Sequence, residues 1–171
     1  MFKICIIMKT KSITVVLIII SMCSCLRTLP DEVFSMMRIP YNGKEIRLDG
    51  CYVSDKVFNK RCEYNFFYSD GVLFVFSDLV NIENISQFTG GIDDMRKYKS
   101  CWGLFQVENN IIKAQRWKSS DDAVQSIVQN RTYKIINDTT LSIDILNDGD
   151  INYYHFKKFT PKPDSTNVFI K

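Results

Sequence analysis

The chain of 171 residues holds one histidine, His155, so acid–base or nucleophilic chemistry would be built on it or on carboxylates. A histidine base needs a nucleophile and an orienting acid within hydrogen-bond reach. His155 falls in the last β-rich run of the chain, where its expected cross-strand neighbour is Ser142. That is an incomplete set, and a histidine on a strand surface is the favoured expectation. Carboxylates act in pairs in glycoside hydrolysis, and the sequence offers Asp93-Asp94 and Asp121-Asp122. Both pairs fall in expected loops, and adjacent chain positions rarely converge on one substrate atom. GxSxG, HExxH and phosphate-cradling glycine loops are absent from the sequence. The cysteines form no CxxC pair and no Cys/His cluster, which argues against a structural zinc site. The expectation is a non-catalytic chain without a cofactor or metal.

Aromatic side chains are the better candidates for a binding site. Tyr64, Phe66, Tyr68, Trp102, Phe105 and Trp117 all lie in strand-like runs, and rings lining a barrel can hold a small apolar or aromatic ligand. Trp102 and Trp117 are expected opposite one another, on a face that also carries Leu104, Gln106, Lys113 and Gln115. That mixture suits a pocket wall or a partly exposed patch as well as a core.

Strand periodicity and turn chemistry supply the elements that must position these rings. Eight strands are expected, at 46–54, 61–69, 72–79, 101–108, 111–118, 131–136, 140–146 and 151–159. Asp70-Gly71 and Asn109-Asn110 are two-residue hairpin signals, because both residues tolerate positive φ. The first would set Phe67 opposite Phe74 and Phe66 opposite Val75; the second sets Trp102 opposite Trp117. Asn137-Asp138 would pair Arg131 with Asp144 and Lys134 with Leu141. The loop 147–150 would pair Ile143 with Tyr154 and Leu141 with Phe156. Two segments interrupt this meander. The connection 81–100 is long enough to call for a function or a short helix, and 123–128 follows good capping residues and is expected to form one or two helical turns. The fold class is therefore all-β, an eight-stranded antiparallel up-and-down meander. Closure into a lipocalin-like barrel removes the exposed edges and leaves room for side chains or one small ligand. A sandwich of two four-stranded sheets is the alternative.

Cys51 and Cys62 stand near opposite positions of the first expected hairpin. Alternation places Cys62 with Tyr64, Phe66 and Tyr68, and Cys51 with Arg47, Asp49 and Val53. The pair would then point to opposite sides, unless a bulge at Gly50 intervenes.

The first two dozen residues have a different purpose. Lys3, Lys9 and Lys11 precede an apolar run at 13–22, which is the pattern of an export signal. Ser24 supplies the small residue that a lipoprotein peptidase requires before Cys25, the expected lipidated residue. The chain carries 22 basic and 19 acidic side chains, and the signal holds three lysines and no acid. Its removal brings the net charge close to zero, so the basicity is no footprint for nucleic acid. About 147 residues remain, enough for one domain with a core. The expected organisation is a signal at 1–24, lipidated Cys25 and a tether at 25–43, and a β-domain at 44–171.

Several stretches resemble a family of small lipoproteins from Gram-negative gut bacteria: IRLDGCYV (46–53), NFFYSDGVLFVF (65–76), CWGLFQVENNIIKAQRW (101–117), IINDTTLSI (135–143) and YHFKKFTPKPDSTNVFIK (154–171). The resemblance covers most of the mature chain, and its most specific parts are the WGxF–NN–W hairpin, the NDTT turn and the PKPDSTN tail. It implies an outer-membrane lipoprotein with a lipocalin-like strand plan, and it carries no catalytic residue over. Cys51 departs from it, since an aromatic is expected there. Together these features lead to the expectation of a lipid-anchored envelope protein that binds a small ligand. An interaction scaffold for another envelope protein is the alternative.

Overall fold

The computed structural model describes residues 30–56, 61–79, 89–119, 125–144 and 149–171. Residues 31–171 belong to one compact unit. Eight strands follow in order: β1 (Gly50–Ser54), β2 (Arg61–Phe67), β3 (Val72–Leu79), β4 (Trp102–Glu108), β5 (Ile111–Ser119), β6 (Ser126–Asn137), β7 (Thr140–Asp144) and β8 (Ile151–Lys158). Each pairs antiparallel with the next, and β1 pairs with β8 from Gly50↔Lys158 to Ser54↔Tyr154. The sheet is thus a closed, lipocalin-like barrel, and the sandwich is excluded. A short helix, α1 (Thr89–Met95), and a 3₁₀ turn (Lys99–Cys101) lie in the long connection before β4.

Turn chemistry sets the registers, in one case as expected. Asn109 and Asn110 both take positive φ, 51° and 61°, and the tight turn gives Gly103↔Arg116 and Phe105↔Ala114. The first hairpin differs. Gly71 alone is left-handed, at φ 83°, and the Tyr68 amide donates to the Val72 carbonyl at 3.0 Å, which closes a three-residue loop. The register moves by one, so Phe66 faces Phe74 and Phe67 faces Leu73. At the third hairpin, an irregularity between Ile135 and Asn137 shifts the pairing to Lys134↔Ser142 and Ile135↔Leu141. Between β7 and β8 the pairs are Leu141↔Tyr154 and Ile143↔Asn152, two places from expectation, so the faces are preserved. The helical turns expected at 123–128 are replaced at 126–128 by the start of β6. Positions 120–124 lie outside the described residues.

Alternation along every strand makes two buried layers. The inner layer draws on all eight strands, and its contacts cross between strands that are not neighbours. The Phe67 and Tyr133 rings, from β2 and β6, lie 6.2 Å apart, and Arg131 of β6 is paired with Glu63 of β2. The outer layer belongs mainly to β1–β5, with Tyr64, Phe66, Phe74 and Trp102 at its centre. Three segments cover it: Phe34 and Met36 before the barrel, Ile92 and Met95 of α1, and Phe159, Phe169 and Ile170 after β8. The described part of the expected tether therefore packs on the barrel. The Trp117 indole donates to the Glu32 carbonyl at 2.8 Å, and the Met36 amide donates to the Gln115 side chain at 2.8 Å.

Candidate functional site

The six expected ring residues do not line one cavity. Tyr64, Phe66, Tyr68, Trp102 and Trp117 sit in the outer layer, whereas Phe105 points into the lumen. The two indole nitrogens are used by the covering segments. Trp102 donates to the Arg96 carbonyl at 2.8 Å. Trp117 lies under Phe34, with ring centroids 3.9 Å apart, and Lys99 Nζ stands 4.4 Å from the indole centre. Lys162 Nζ sits 4.2 Å over the Tyr68 ring and donates to the Leu48 and Phe67 carbonyls at 2.6 Å each.

Phe105 does reach a site. Beside the β4–β5 turn, residues 39–45 arch over the barrel end and leave a cleft of about 390 Å³. Its floor is apolar and aromatic, with Pro40, Tyr41, Phe105 and Val107, and its rim carries Glu45, Glu108 and Lys113. Tyr41 holds the arch in place. Its ring packs 5.8 Å from that of Phe105, its hydroxyl donates to Glu45 Oε2 at 2.8 Å, and it accepts the Ile46 amide at 3.1 Å. The bond from Tyr41 holds the Glu45 carboxyl below the usual carboxylate range, while burial raises the Tyr41 phenol. Volume and lining suit a small ligand that has an apolar face and polar substituents.

The lumen changes character along its axis. At the turn end it is filled by rings, with Phe67 and Phe105 at 4.9 Å and Tyr133 and Tyr154 at 5.6 Å. Toward the other end, from which the connections β1–β2, β3–β4, β5–β6 and β7–β8 leave, it becomes charged. Glu63, Arg116 and Arg131 have side chains only 15, 16 and 7% exposed. Arg131 Nη1 donates to Glu63 Oε1 and, at 3.2 Å, to the Tyr133 hydroxyl. Arg116 Nη1 lies 3.6 Å from Glu63 Oε2, and the Nε atoms of both arginines donate to Gln129 Oε1 at 3.2 Å. The Tyr154 hydroxyl donates to Glu63 at 3.0 Å. Burial opposes ionisation of Glu63, but Arg131 and Arg116 outweigh it and hold its carboxyl below the usual range. Burial and repulsion from Arg131 lower Arg116.

This charged cluster is absent from the sequence expectations. One signal was present: Arg131, Tyr133 and Ile135 share a strand face, as do Glu63, Asn65 and Phe67, so each charge stands on an otherwise buried face.

The other candidate groups are accounted for individually. His155 faces Thr140 and Val53, and Ser142 faces Tyr153, which corrects the expected Ser142 contact. The partner of His155 is Asp55, Nε2 to Oδ2 3.0 Å, with both side chains more than half exposed. Asp94 pairs with Lys97 at 2.7 Å and Asp93 with Arg96 at 3.6 Å. Asp121 and Asp122 lie outside the described residues, as does Cys25. Cys51, Cys62 and Cys101 are free and buried. Cys51 and Cys62 share the outer layer, contrary to the expected opposite faces, but the register Tyr52↔Asn65 keeps them from standing opposite each other. Burial pushes the Cys51 thiol up to about 12 and Cys101 to about 11, far from reactive values.

Comparisons with protein-family models, with curated proteins and with solved structures found no match to this chain.

Proposed function

We propose that this chain is an envelope lipoprotein, anchored through lipidated Cys25, whose barrel binds a small ligand without acting on it chemically. The cleft beside the β4–β5 turn carries this proposal, since its volume of about 390 Å³ and its floor of Tyr41, Phe105 and Val107 match a small apolar or aromatic ligand. The anchor follows from the basic and apolar signal at 1–24 and from Ser24 before Cys25. The resemblance to small lipoproteins of Gram-negative gut bacteria points to the same outer-membrane location.

N-phenyl-1-naphthylamine, a neutral aromatic probe, tests the cleft. Saturable one-to-one binding that is lost in Val107→Arg supports the proposal; binding that is absent, or indifferent to that substitution, rejects the cleft. Mass spectrometry of the mature N-terminus tests the anchor, and an unmodified terminus would reject it. A second reading, an interaction scaffold, has its own observation: on the uncovered outer side of β8, Ile151 and Tyr153 are 46 and 42% exposed. Cross-linking in intact membranes that yields only monomer would count against it.

A further inference from the structure

We infer that the cleft beside the β4–β5 turn takes an organic cation, an amine carried on a small apolar body, with Glu45 as its counter-charge. This rests on the reading of the cleft as a binding site and names the class of ligand it would hold.

The first argument is charge. Of the residues that line the cleft, Glu45 and Glu108 are acidic and Lys113 is the one that is basic. Lys113 Nζ is committed to Glu108 Oε2 at 3.2 Å. Glu45 therefore has no cationic partner in the lining; its side-chain partner is the neutral Tyr41 hydroxyl, at 2.8 Å. That bond holds the Glu45 carboxyl below its ordinary 4.5, so it is charged at neutral pH. Lys44, the preceding residue, is exposed and lies outside the lining. The turns β2–β3, β4–β5 and β6–β7, which stand at this end of the barrel, are all among the described residues. A carboxylate beside an apolar wall attracts a cation more strongly than one in open water, because the wall keeps part of the solvent away.

The second argument is the placement of that carboxylate. A Cβ on Gly43 would come 2.0 Å from Glu45 Oε2 and 2.6 Å from the edge of the Tyr41 ring. Glycine thus lets the arch bring carboxylate and ring together against its own backbone. Tyr41 is fixed in turn by the Ile46 amide, which donates to its hydroxyl at 3.1 Å. The charge is therefore held at the cleft before a ligand arrives, which lowers the ordering cost of binding.

The third argument is the match of groups. Gln106 spends an amide N–H on the Met37 carbonyl at 2.9 Å and keeps its side-chain oxygen as an acceptor. Glu45 and Glu108 can only accept when ionised. Such a rim suits a ligand that brings N–H donors. Ile39, Pro40 and Val107 supply uncharged walls for its carbon body. A bare calcium ion fits poorly, since it takes about six to eight oxygen ligands.

The test titrates the full chain with benzylammonium chloride, benzyl alcohol and sodium benzoate at matched ionic strength, following the Gly43 and Val107 amide resonances. An exposed ion pair is worth up to about fivefold in affinity. Benzylammonium should therefore bind about three- to fivefold more tightly than benzyl alcohol, and benzoate more weakly than either. Glu45→Gln keeps an acceptor for Tyr41 at an exposed position, so the fold should survive. It should erase the advantage of the cation and leave benzyl alcohol unchanged. Val107→Arg should abolish all three responses. Equal affinity for benzylammonium and benzyl alcohol, or an advantage that persists in Glu45→Gln, would overturn the inference and leave the cleft standing. No response to any of the three would also overturn it, and N-phenyl-1-naphthylamine then decides separately whether the cleft itself stands.

Discussion

On the outer side of β1–β5 the barrel buries rings against rings, and the rings belong to segments from both ends of the chain. Inside, strands β2, β5 and β6 bury charge. Phe34 on Trp117 and Phe159 against Phe66 (centroids 5.1 Å apart) exemplify the outer arrangement; Glu63 between Arg116 and Arg131 exemplifies the inner one. In a barrel used only as a scaffold, the best-enclosed volume would hold the most apolar groups. Here part of that volume is given to groups whose burial is costly, while a good share of the apolar packing lies outside. The difference teaches that outer-layer stability is separable from lumen chemistry, and each substitution below tests that separation.

The largest effect is expected inside. Glu63→Gln strands two arginines without a counter-charge and should destabilise the fold by about 3–5 kcal/mol in urea unfolding. Its pH signature is equally specific. Because the folded-state pKa of Glu63 lies below its ordinary 4.5, its contribution is present above that value and is lost as the pH falls through the folded pKa. The variant should therefore show a flatter acid limb.

Lys162→Met comes next. It leaves the Leu48 and Phe67 carbonyls without their donor and should lose roughly 2–3 kcal/mol. Burial brings the Lys162 amine down to about 8 from 10.5. The native state therefore releases this proton before the unfolded chain does. Wild type should gain stability relative to Lys162→Met as the pH rises from about 8 to 10.5, and should show no such relative gain below.

Phe34→Ala removes a stacked ring from the outer layer and should cost about 2 kcal/mol. It should leave the arginine Nε–H resonances unmoved; a shift there would show that the two layers are coupled. Asn110→Ala places an ordinary side chain at φ 61° and should cost about 1 kcal/mol. His155→Ala breaks only an exposed pair with Asp55, and a change in stability beyond about 0.5 kcal/mol would contradict that placement.

Much of the fold was legible because turn residues specify local geometry. Asn109-Asn110 predicted both the hairpin and its register. Asp70-Gly71 predicted a hairpin but not its loop length. The N-terminal segment passes over this turn, where a Cβ on Gly71 would come 2.2 Å from the Ile39 carbonyl oxygen, and Arg38 pairs with Asp70 at 2.7 Å. Those are tertiary contacts, which no local pattern reports. The same holds for residues 31–43. They lack periodicity because their burial comes from single contacts to β4–β6 and to the barrel end, not from a regular element. The charged site was half legible. An arginine on the buried face of β6 could be read from alternation, but its carboxylate lies 68 residues earlier in the chain and reaches it only after the barrel has closed.

The packing of the segment just before the barrel also governs how the protein would stand on a membrane. For a chain anchored at Cys25, as proposed, six residue steps separate the lipid from Asp31, whose carboxylate bonds Lys99 and the Ser126 amide. Six steps reach at most about 20 Å. The barrel of such an anchored chain would then be moored on a short line.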